Sequence, residues 1–232
     1  MRTLISLLLL CTSTLSWAEM PSRIEANYDV LVKGIKLAEI REVFVRTDDQ
    51  YHIESVTKPV GLLALFKPET IVVTSDGEID DHGLRPLKFS HHRTHDSSMN
   101  NAAEFDWSHN EITHRDKSGI SQMSLPVGTQ DRLSMMYQFV AIPPHGKLDM
   151  KFSMSNGSNL EAMHYQLNPE QTINVPFGSM KSYYLYSLPR NIPKKSEVWL
   201  AVEHSYVPCK IVLTEDGSTR LEQVLTSLNI VP

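Results

Sequence analysis

The sequence has little cysteine, no long apolar segment beyond its N-terminus and no excess of basic residues. Its 232 residues contain two cysteines, Cys11 and Cys209, and carry a formal charge of −5. The charge argues against a dedicated nucleic-acid binder, which normally has a strongly basic surface. No segment of the chain approaches the roughly 18 apolar residues of a membrane-spanning helix. With 41% hydrophobic residues, 10 glycines and 13 prolines, the composition is that of an ordinary globular protein.

The first eighteen residues have the pattern of a secretory signal peptide. Arg2 is the positive residue, Leu4 to Leu10 form an apolar region, and Ser16 and Ala18 are small residues at positions −3 and −1 of a cleavage site. We therefore expect cleavage after Ala18 and a single β-rich domain over residues 19–232. One cysteine then remains and cannot form an internal disulfide. We expect Cys209 to be buried as a small apolar side chain, with a reactive or intermolecular thiol as the alternative.

Apolar and polar residues alternate with a period of two along most of the mature chain. Some fourteen short segments with this pattern predict strands, separated by turn signals at Asp76-Gly77, His109-Asn110, Asn156-Gly157, Asn168-Pro169 and Asp216-Gly217. The pattern predicts an all-β fold with minor α, in which a curved antiparallel sheet forms a partly closed barrel or a β-spiral.

One segment has the period of a helix instead. Leu133, Met136, Tyr137 and Val140 lie at positions i, i+3, i+4 and i+7, and Asp131 precedes them as a candidate N-cap. Pro143 and Pro144 would end the helix. We predict one helix at about residues 131–142 that plugs or flanks the sheet.

The segment Val60-Gly-Leu-Leu-Ala-Leu-Phe66 is the longest apolar run of the mature chain and lies between two Lys-Pro pairs. Leu62, Leu63, Leu65 and Phe66 are too apolar to stay in water without consequence, because burying each is worth about 1.5–3 kcal/mol. We expect a connection that closes the core. The alternative is a lid over an apolar cavity or a patch that touches a membrane or a partner. These four residues are the candidate ligand-binding residues.

Six of the ten histidines lie between His82 and His114. Neutral imidazoles bind zinc and copper, so His91, His95 and His114 on adjacent strands form a candidate metal site. The competing interpretation is a polar surface of the sheet that faces solvent. Nucleophilic catalysis has less support, because no Gly-x-Ser-x-Gly or His-Glu-x-x-His motif is present and Ser134 suits a capping role. We therefore name no catalytic residue and no cofactor.

A series of short motifs runs through the mature chain. In order they are a Tyr-x-Val strand before Gly34, Asp131-Arg-Leu-Ser-x-x-Tyr137, Val175-Pro-Phe-Gly178, Glu197-Val-Trp-Leu200, Tyr206-Val-Pro-Cys-Lys-Ile211 and Asp216-Gly217. Together they resemble the bacterial exported family known as domain of unknown function 3108 (DUF3108). The resemblance implies a β-rich periplasmic protein and transfers no catalytic residue. Cys209 stands where an aliphatic residue is expected, which supports a packing role for its thiol.

A structural role accounts for each of these motifs. Asp131 would cap the helix, and Leu133 and Tyr137 would be buried. Gly178 would form a turn, Trp199 would anchor the core, and Pro208 would begin a strand. The sequence thus favours an exported, non-catalytic protein of the cell envelope. We expect it to bind an apolar or amphipathic molecule, or an envelope protein, in the concave face of its sheet. The alternatives are a periplasmic metal-binding protein and a hydrolase.

Overall fold

The computed structural model describes residues 20–188, 194–215 and 219–232, so the predicted signal peptide lies outside the described residues. The helices are α1 (Gly61–Phe66) and α2 (Ser134–Ala141), and a short 3-10 turn spans Ser97–Met99. The strands are β1 (Arg23–Val32), β2 (Ile35–Thr47), β3 (Gln50–Pro59), β4 (Ile71–Asp80), β5 (Gly83–Arg93), β6 (Asn101–Asp106), β7 (Glu111–Asp116), β8 (Gly119–Ser124), β9 (Gln130–Asp131), β10 (Leu148–Ser155), β11 (Leu160–Val175), β12 (Gly178–Ser187), β13 (Lys195–Ala201), β14 (Val207–Glu215) and β15 (Thr219–Val231).

All the strands belong to one sheet, in the order β8-β7-β6-β5-β4-β3-β2-β1-β15-β14-β13-β12-β11-β10-β9. Neighbouring strands are antiparallel except β9 and β10, which are parallel. In the described part of the chain β8 and β9 are unpaired at their outer edges, so the sheet is not closed. The prediction of an all-β fold with minor α, built from a curved antiparallel sheet, is confirmed.

The sheet curls until its two ends approach each other. His114 Nε2 on β7 lies 2.9 Å from Ser155 Oγ on β10, although these strands are near opposite ends of the strand order. Likewise, the Gln130 side chain on β9 donates a hydrogen bond of 2.9 Å to the Leu84 carbonyl on β5. The curled sheet therefore encloses an interior, which its inward-facing side chains line.

Because the strands run up and down in sequence, their connections form two rims. We call one of them the mouth rim; it contains residues 33–34, 60–70, 94–100, 117–118 and 156–159. The opposite rim, the helix rim, contains residues 48–49, 81–82, 107–110, 142–147, 176–177 and 202–206.

Helix α2 lies inside the curled sheet and contacts both β5 and β14. Tyr137 is fully buried and stacks on Phe44 at a ring-centroid distance of 5.5 Å. Met135 and Phe139 pack on the opposite side, in the cluster formed by β11 to β14. Near the end of α2, the Gln138 side chain accepts a hydrogen bond from the Leu84 amide at the helix rim. The helix thus occupies the part of the interior nearest that rim.

The predicted helix at 131–142 is present but shorter. Asp131 itself lies in β9, and its Oδ1 accepts hydrogen bonds of 2.8 Å from the amides of Leu133 and Ser134. The carboxylate therefore orders the turn that leads into α2, in the manner of a cap. At the other end α2 stops at Ala141, two residues before Pro143.

Two predicted turns are instead irregular positions within strands. Asp76-Gly77 lies inside β4 and Asn168-Pro169 lies inside β11, each at a shift of register that marks a β-bulge. At Gly77 a Cβ atom would collide with the Arg85 carbonyl oxygen and the Tyr51 ring. A close approach of neighbouring groups, and not a turn, therefore requires glycine here. Asp216-Gly217 lies outside the described residues.

Helix α1 does not close the core. Leu62, Leu65 and Phe66 are 73%, 77% and 81% exposed, whereas Leu63 is half-buried. The expectation that this chain buries all four side chains is therefore wrong for three of them. The physical reason is the position of α1, which contacts the ends of β2 and β3 at the mouth rim and does not cover the interior.

Candidate functional site

The inner face of the sheet is sealed around α2 but remains accessible towards the mouth rim. Phe44, Ile53 and Leu84, which surround the helix, are at most 2% exposed. Towards the mouth rim the inward-facing apolar side chains are only half-buried: Ile40, Ile71, Val73, Met154 and Leu213. We call the inner surface that these side chains form the hollow. It lies between α2 and the mouth rim.

Arg132 is the most distinctive residue of the hollow. Its side chain is exposed to solvent, yet the surrounding protein lowers the pKa of its guanidinium. The charges of Glu161 on β11, the adjacent Asp131 and Glu215 on β14 oppose this effect, and Arg93 on β5 adds to it. Charges from three separate sides of the sheet thus act on one guanidinium. This places Arg132 inside the concavity, accessible to water from the mouth.

The charged groups near Arg132 are partly engaged with one another. Arg93 Nη1 donates a hydrogen bond of 2.9 Å to Glu69 Oε2, and Asn156 donates one of 3.1 Å to Glu161. Burial lowers the pKa of His91, and the charge of Arg132 lowers it further. Arg132 has no ion-pair partner within the described residues. It is therefore the cation of the hollow that is available to an incoming anionic group.

A buried polar network lies beneath Arg132. Ser75 donates a hydrogen bond of 2.5 Å to Asp131 Oδ2, and the Tyr51 hydroxyl lies 3.1 Å from Ser75 Oγ. Burial raises the pKa of Asp131 to about 6, although the hydrogen bonds from Ser75, Leu133 and Ser134 oppose the rise. The network fixes the start of α2 against β4, and with it the position of Arg132.

Glu42 is a second buried carboxylate, on the inner face of β2. Its oxygens accept hydrogen bonds of 3.1 Å from Tyr137 and 3.2 Å from Ser55. Burial raises the pKa of Glu42, and these hydrogen bonds act against the rise. Because its acceptors are occupied by side chains of α2 and β3, Glu42 ties the helix to the sheet.

The structure does not bring the three candidate metal ligands together. His91 and His114 lie on the inner faces of β5 and β7, whereas His95 lies in the mouth-rim segment after β5. His114 is 1% exposed, and its ring contacts Ser155. In residues 20–188, 194–215 and 219–232, no group of three His, Cys, Asp or Glu side chains is placed to hold a metal ion.

The hydroxyl of Ser134 belongs to the start of α2. Ser134 Oγ accepts a hydrogen bond of 2.8 Å from the Asp131 amide and donates to the Asp131 carbonyl at 3.3 Å. Ser134 is fully buried. Its hydroxyl thus fills a local capping role, as expected from its position in the sequence.

The other residues named from the motifs lie in structural positions. Leu133 and Tyr137 are buried against the sheet, and Gly178 begins β12 directly after a turn of the helix rim. Pro208 is the second residue of β14. Trp199 differs from the prediction that it anchors the core. It is half-buried and faces outwards, because Val198 and Leu200 take the inward positions of β13, and its ring lies 4.9 Å from that of Tyr184 and beneath the Lys210 ammonium.

Cys209 provides a test of the interior packing. The side chain is fully buried, its Sγ donates a hydrogen bond of 3.3 Å to the Trp199 carbonyl, and burial raises the pKa of the thiol to about 12. We therefore expect no reaction with an aromatic disulfide reagent at pH 8 in the native protein and complete reaction in urea. Rapid reaction without denaturant would show that this part of the interior is open.

Sequence patterns did not identify Arg132 or Glu42 as site residues. Glu42 occupies an inward position of an alternating strand, and Arg132 directly follows the capping Asp131. A charged residue at an inward position of a predicted strand can be recognised in the sequence as a candidate site residue. Which other residues it meets is known only when the neighbouring strands are known. Because the strands that surround Arg132 are distant in sequence, the sequence alone does not reveal the hollow.

The comparisons with known proteins agree with this architecture. The chain is similar to a solved structure described as a "Beta-barrel-like Protein of Domain of Unknown Function DUF1849 from Brucella abortus", with a TM-score of 0.56 and 11% sequence identity. The match covers 90% of this chain and 98% of that one. At this identity the likeness shows the fold alone. No curated protein matches the chain.

The family comparison covers most of the same region. A family model described as "Protein of unknown function (DUF3108)" matches residues 27–224, which include most of the curled sheet, α2 and the hollow. The match agrees with the resemblance that the order of the motifs indicates. The chain therefore belongs to the DUF3108 family.

Proposed function

We propose that this protein is exported to the cell envelope and binds an amphipathic molecule with an acidic head group in its hollow, without catalysing a reaction. Support for export comes from the signal-peptide pattern of residues 1–18. In the described part of the chain, no helix has the length and apolar character required to cross a bilayer.

The observation that carries the proposal is the position of Arg132. An arginine that is reachable from solvent, lacks an ion-pair partner in the described residues and is surrounded by protein interacts strongly with an entering anion. The half-buried Ile40, Ile71 and Met154 offer the apolar wall that a hydrocarbon chain requires. The hollow therefore offers a cation to the acidic head group of an amphiphile and an apolar wall to its hydrocarbon chain.

Binding without catalysis follows from how the polar groups are used. Asp131 and Glu42 accept hydrogen bonds from the protein itself, and the Ser134 hydroxyl is engaged in the start of α2. Since these groups stabilise the helix against the sheet, they are not free to activate a water molecule or a nucleophile.

Arg132→Gln tests the proposal directly. We expect this variant to bind a fluorescent long-chain fatty acid about tenfold more weakly than the wild type, because one charge-assisted hydrogen bond is lost. The affinity for the uncharged alcohol of the same chain length should not change. Fluorescence titration of both probes measures the difference.

Arg115→Gln is the matched control. Arg115 is an exposed arginine on the outer face of β7, paired with Glu104, and its replacement should leave the fatty-acid affinity unchanged. Failure of the wild type to bind the acid, or equal binding by the Arg132 variant, would refute the proposal. The protein can also be purified gently from its own cells. If a second polypeptide co-purifies with it in stoichiometric amount and no lipid does, the partner is an envelope protein.

A further inference from the structure

The mouth rim holds several of the most exposed large apolar side chains of the described structure. Leu62, Leu65 and Phe66 of α1 are 73–81% exposed. Ile35 in the neighbouring hairpin is 66% exposed, and Ile120 beside residues 117–118 is 65% exposed. Isolated exposed leucines are common, but a concentration at one rim of a barrel-like fold marks an interaction surface.

The geometry of α1 keeps its apolar side chains directed away from the sheet. The Val60 amide donates a hydrogen bond of 2.9 Å to the Leu37 carbonyl, which holds the start of the segment to β2. The Lys67 amide donates one of 2.8 Å to the Leu63 carbonyl and closes the helical turn. With Leu63 facing the protein, Leu65 and Phe66 project into solvent as a preformed apolar tip.

The two rims differ in charge. Five exposed lysines at or beside the mouth rim form no ion pair with another described residue: Lys33, Lys58, Lys67, Lys117 and Lys195. Lys36 and Lys194 at this rim are paired with acidic residues, namely Asp29, Glu39 and Glu215. Asp96 also lies in this rim, whereas at the helix rim the exposed acidic residues outnumber the exposed lysines Lys147 and Lys181: Asp48, Asp49, Asp80, Asp81, Asp106 and Glu203. The molecule is therefore polarised along the axis of its sheet.

We propose that the mouth rim docks on an anionic membrane surface, with Leu62, Leu65 and Phe66 inserted among the lipid head groups. Apolar side chains flanked by lysines are complementary to such a surface, where each cation adds about 1 kcal/mol of attraction. The acidic helix rim is repelled and faces away from the bilayer. Charge complementarity therefore selects both the occupant of the rim and the orientation of the protein.

This docking goes beyond the binding of an amphiphile and does not depend on it. The rim residues lie outside the hollow, and the interaction needs no ligand at Arg132. It has one consequence for the hollow, however, because the docked orientation turns its opening towards the lipid surface.

Co-sedimentation with vesicles tests the proposal. The wild-type mature protein should bind vesicles of phosphatidylethanolamine with phosphatidylglycerol about tenfold more tightly than vesicles of phosphatidylcholine, and less tightly as salt is added. The double variant Leu65→Asp/Phe66→Asp should lose at least about tenfold in affinity. Because both side chains are exposed, its thermal unfolding should match that of the wild type.

The control for the charge introduced into α1 is Val127→Asp. It places an aspartate at a side chain that is 92% exposed, in the connection that leaves β8 at the helix rim, and should bind vesicles as the wild type does.

The contribution of the lysines is tested by Lys58→Gln/Lys67→Gln, which should weaken binding to the anionic vesicles. Lys147→Gln at the helix rim is the control for this variant and should leave binding unchanged.

Several results would overturn the docking proposal. One is that the wild type does not bind vesicles that contain phosphatidylglycerol. Another is that Val127→Asp loses as much vesicle affinity as Leu65→Asp/Phe66→Asp. A third is that the wild type forms a dimer that Leu65→Asp/Phe66→Asp abolishes, while neither protein binds lipid. The outcome is separable from ligand binding, since the α1 variant should retain the fatty-acid affinity and Arg132→Gln should retain vesicle binding.

Discussion

Replacing Tyr137 with alanine is expected to lower the free energy of unfolding by about 3–5 kcal/mol. The ring is fully buried at the centre of the curled sheet and stacks on Phe44. Its hydroxyl donates to the buried Glu42 carboxylate at 3.1 Å. The substitution therefore leaves a cavity between α2 and β2 and removes a donor from a buried acid, two effects that act in the same direction.

Urea unfolding of Tyr137→Ala and Tyr137→Phe separates the two contributions. The phenylalanine variant keeps the ring and loses only the hydroxyl, so we expect it to cost about 1–3 kcal/mol. A loss below about 1 kcal/mol for Tyr137→Ala would show that α2 is not the packed centre of the interior.

The second large effect is a change in how stability depends on pH. Burial raises the pKa of Asp131 from 3.8 to about 6. Between these values the folded protein binds more protons than the unfolded chain, so the free energy of unfolding falls as the pH rises. The full difference, reached above pH 6, corresponds to about 3 kcal/mol.

Asp131→Asn should remove this dependence. The amide oxygen can still accept from the Leu133 and Ser134 amides, and the amide nitrogen can donate to Ser75 Oγ, so the start of α2 is preserved. Relative to the variant, the wild type should lose about 3 kcal/mol between pH 3 and pH 8. Denaturant titrations at a series of pH values measure this difference, and the contribution of Glu42 cancels because both proteins contain it.

Asp106→Asn provides a control of opposite sign. Hydrogen bonds from Ser108 and His109 hold the pKa of the exposed Asp106 below its usual value. Its charged form therefore favours the folded state, and its removal should not reproduce the effect of Asp131→Asn. Parallel pH profiles of the wild type and Asp131→Asn would contradict the assignment of a proton-binding carboxyl to the helix start.

The strands were predictable because their side chains report which face is buried. In β1, Ile24, Ala26 and Tyr28 are buried on one face, as the alternation of residues indicates. Helix α2 was predictable for a similar reason, since apolar residues three and four positions apart come onto one face only when the backbone is helical. Both patterns depend only on neighbouring residues. They agree with the folded structure because one continuous sheet surrounds one helix, so each strand and the helix bury the face that the pattern indicates.

The features that sequence reasoning missed depend on contacts between distant segments. Asp76-Gly77 has the chemistry of a turn, but Gly77 serves a bulge because the Tyr51 ring and the Arg85 carbonyl approach its Cα. The exposure of α1 could not be read from its composition, because an apolar segment is equally consistent with a core, a lid or a membrane contact. Arg132 acquires its role only when β5, β11 and β14 are brought around it.

The hollow and the mouth rim together suggest how the molecule is used. One rim is acidic and adjoins the sealed, helix-filled part of the interior, whereas the other is basic, apolar and open. An amphiphile that enters from a lipid surface would reach Arg132 without crossing the acidic rim. The two proposals are thus compatible, although each has its own variants and controls.

The most direct test of the central claim is to locate a bound amphiphile within the protein. With methyl-labelled methionines, a nitroxide-labelled fatty acid should broaden the NMR signal of Met154 on the wall of the hollow and spare that of Met180, which is buried on β12 near the helix rim. The unlabelled acid should restore the Met154 signal. Unchanged signals throughout, or broadening confined to Met99 at the mouth rim, would contradict a binding site inside the hollow.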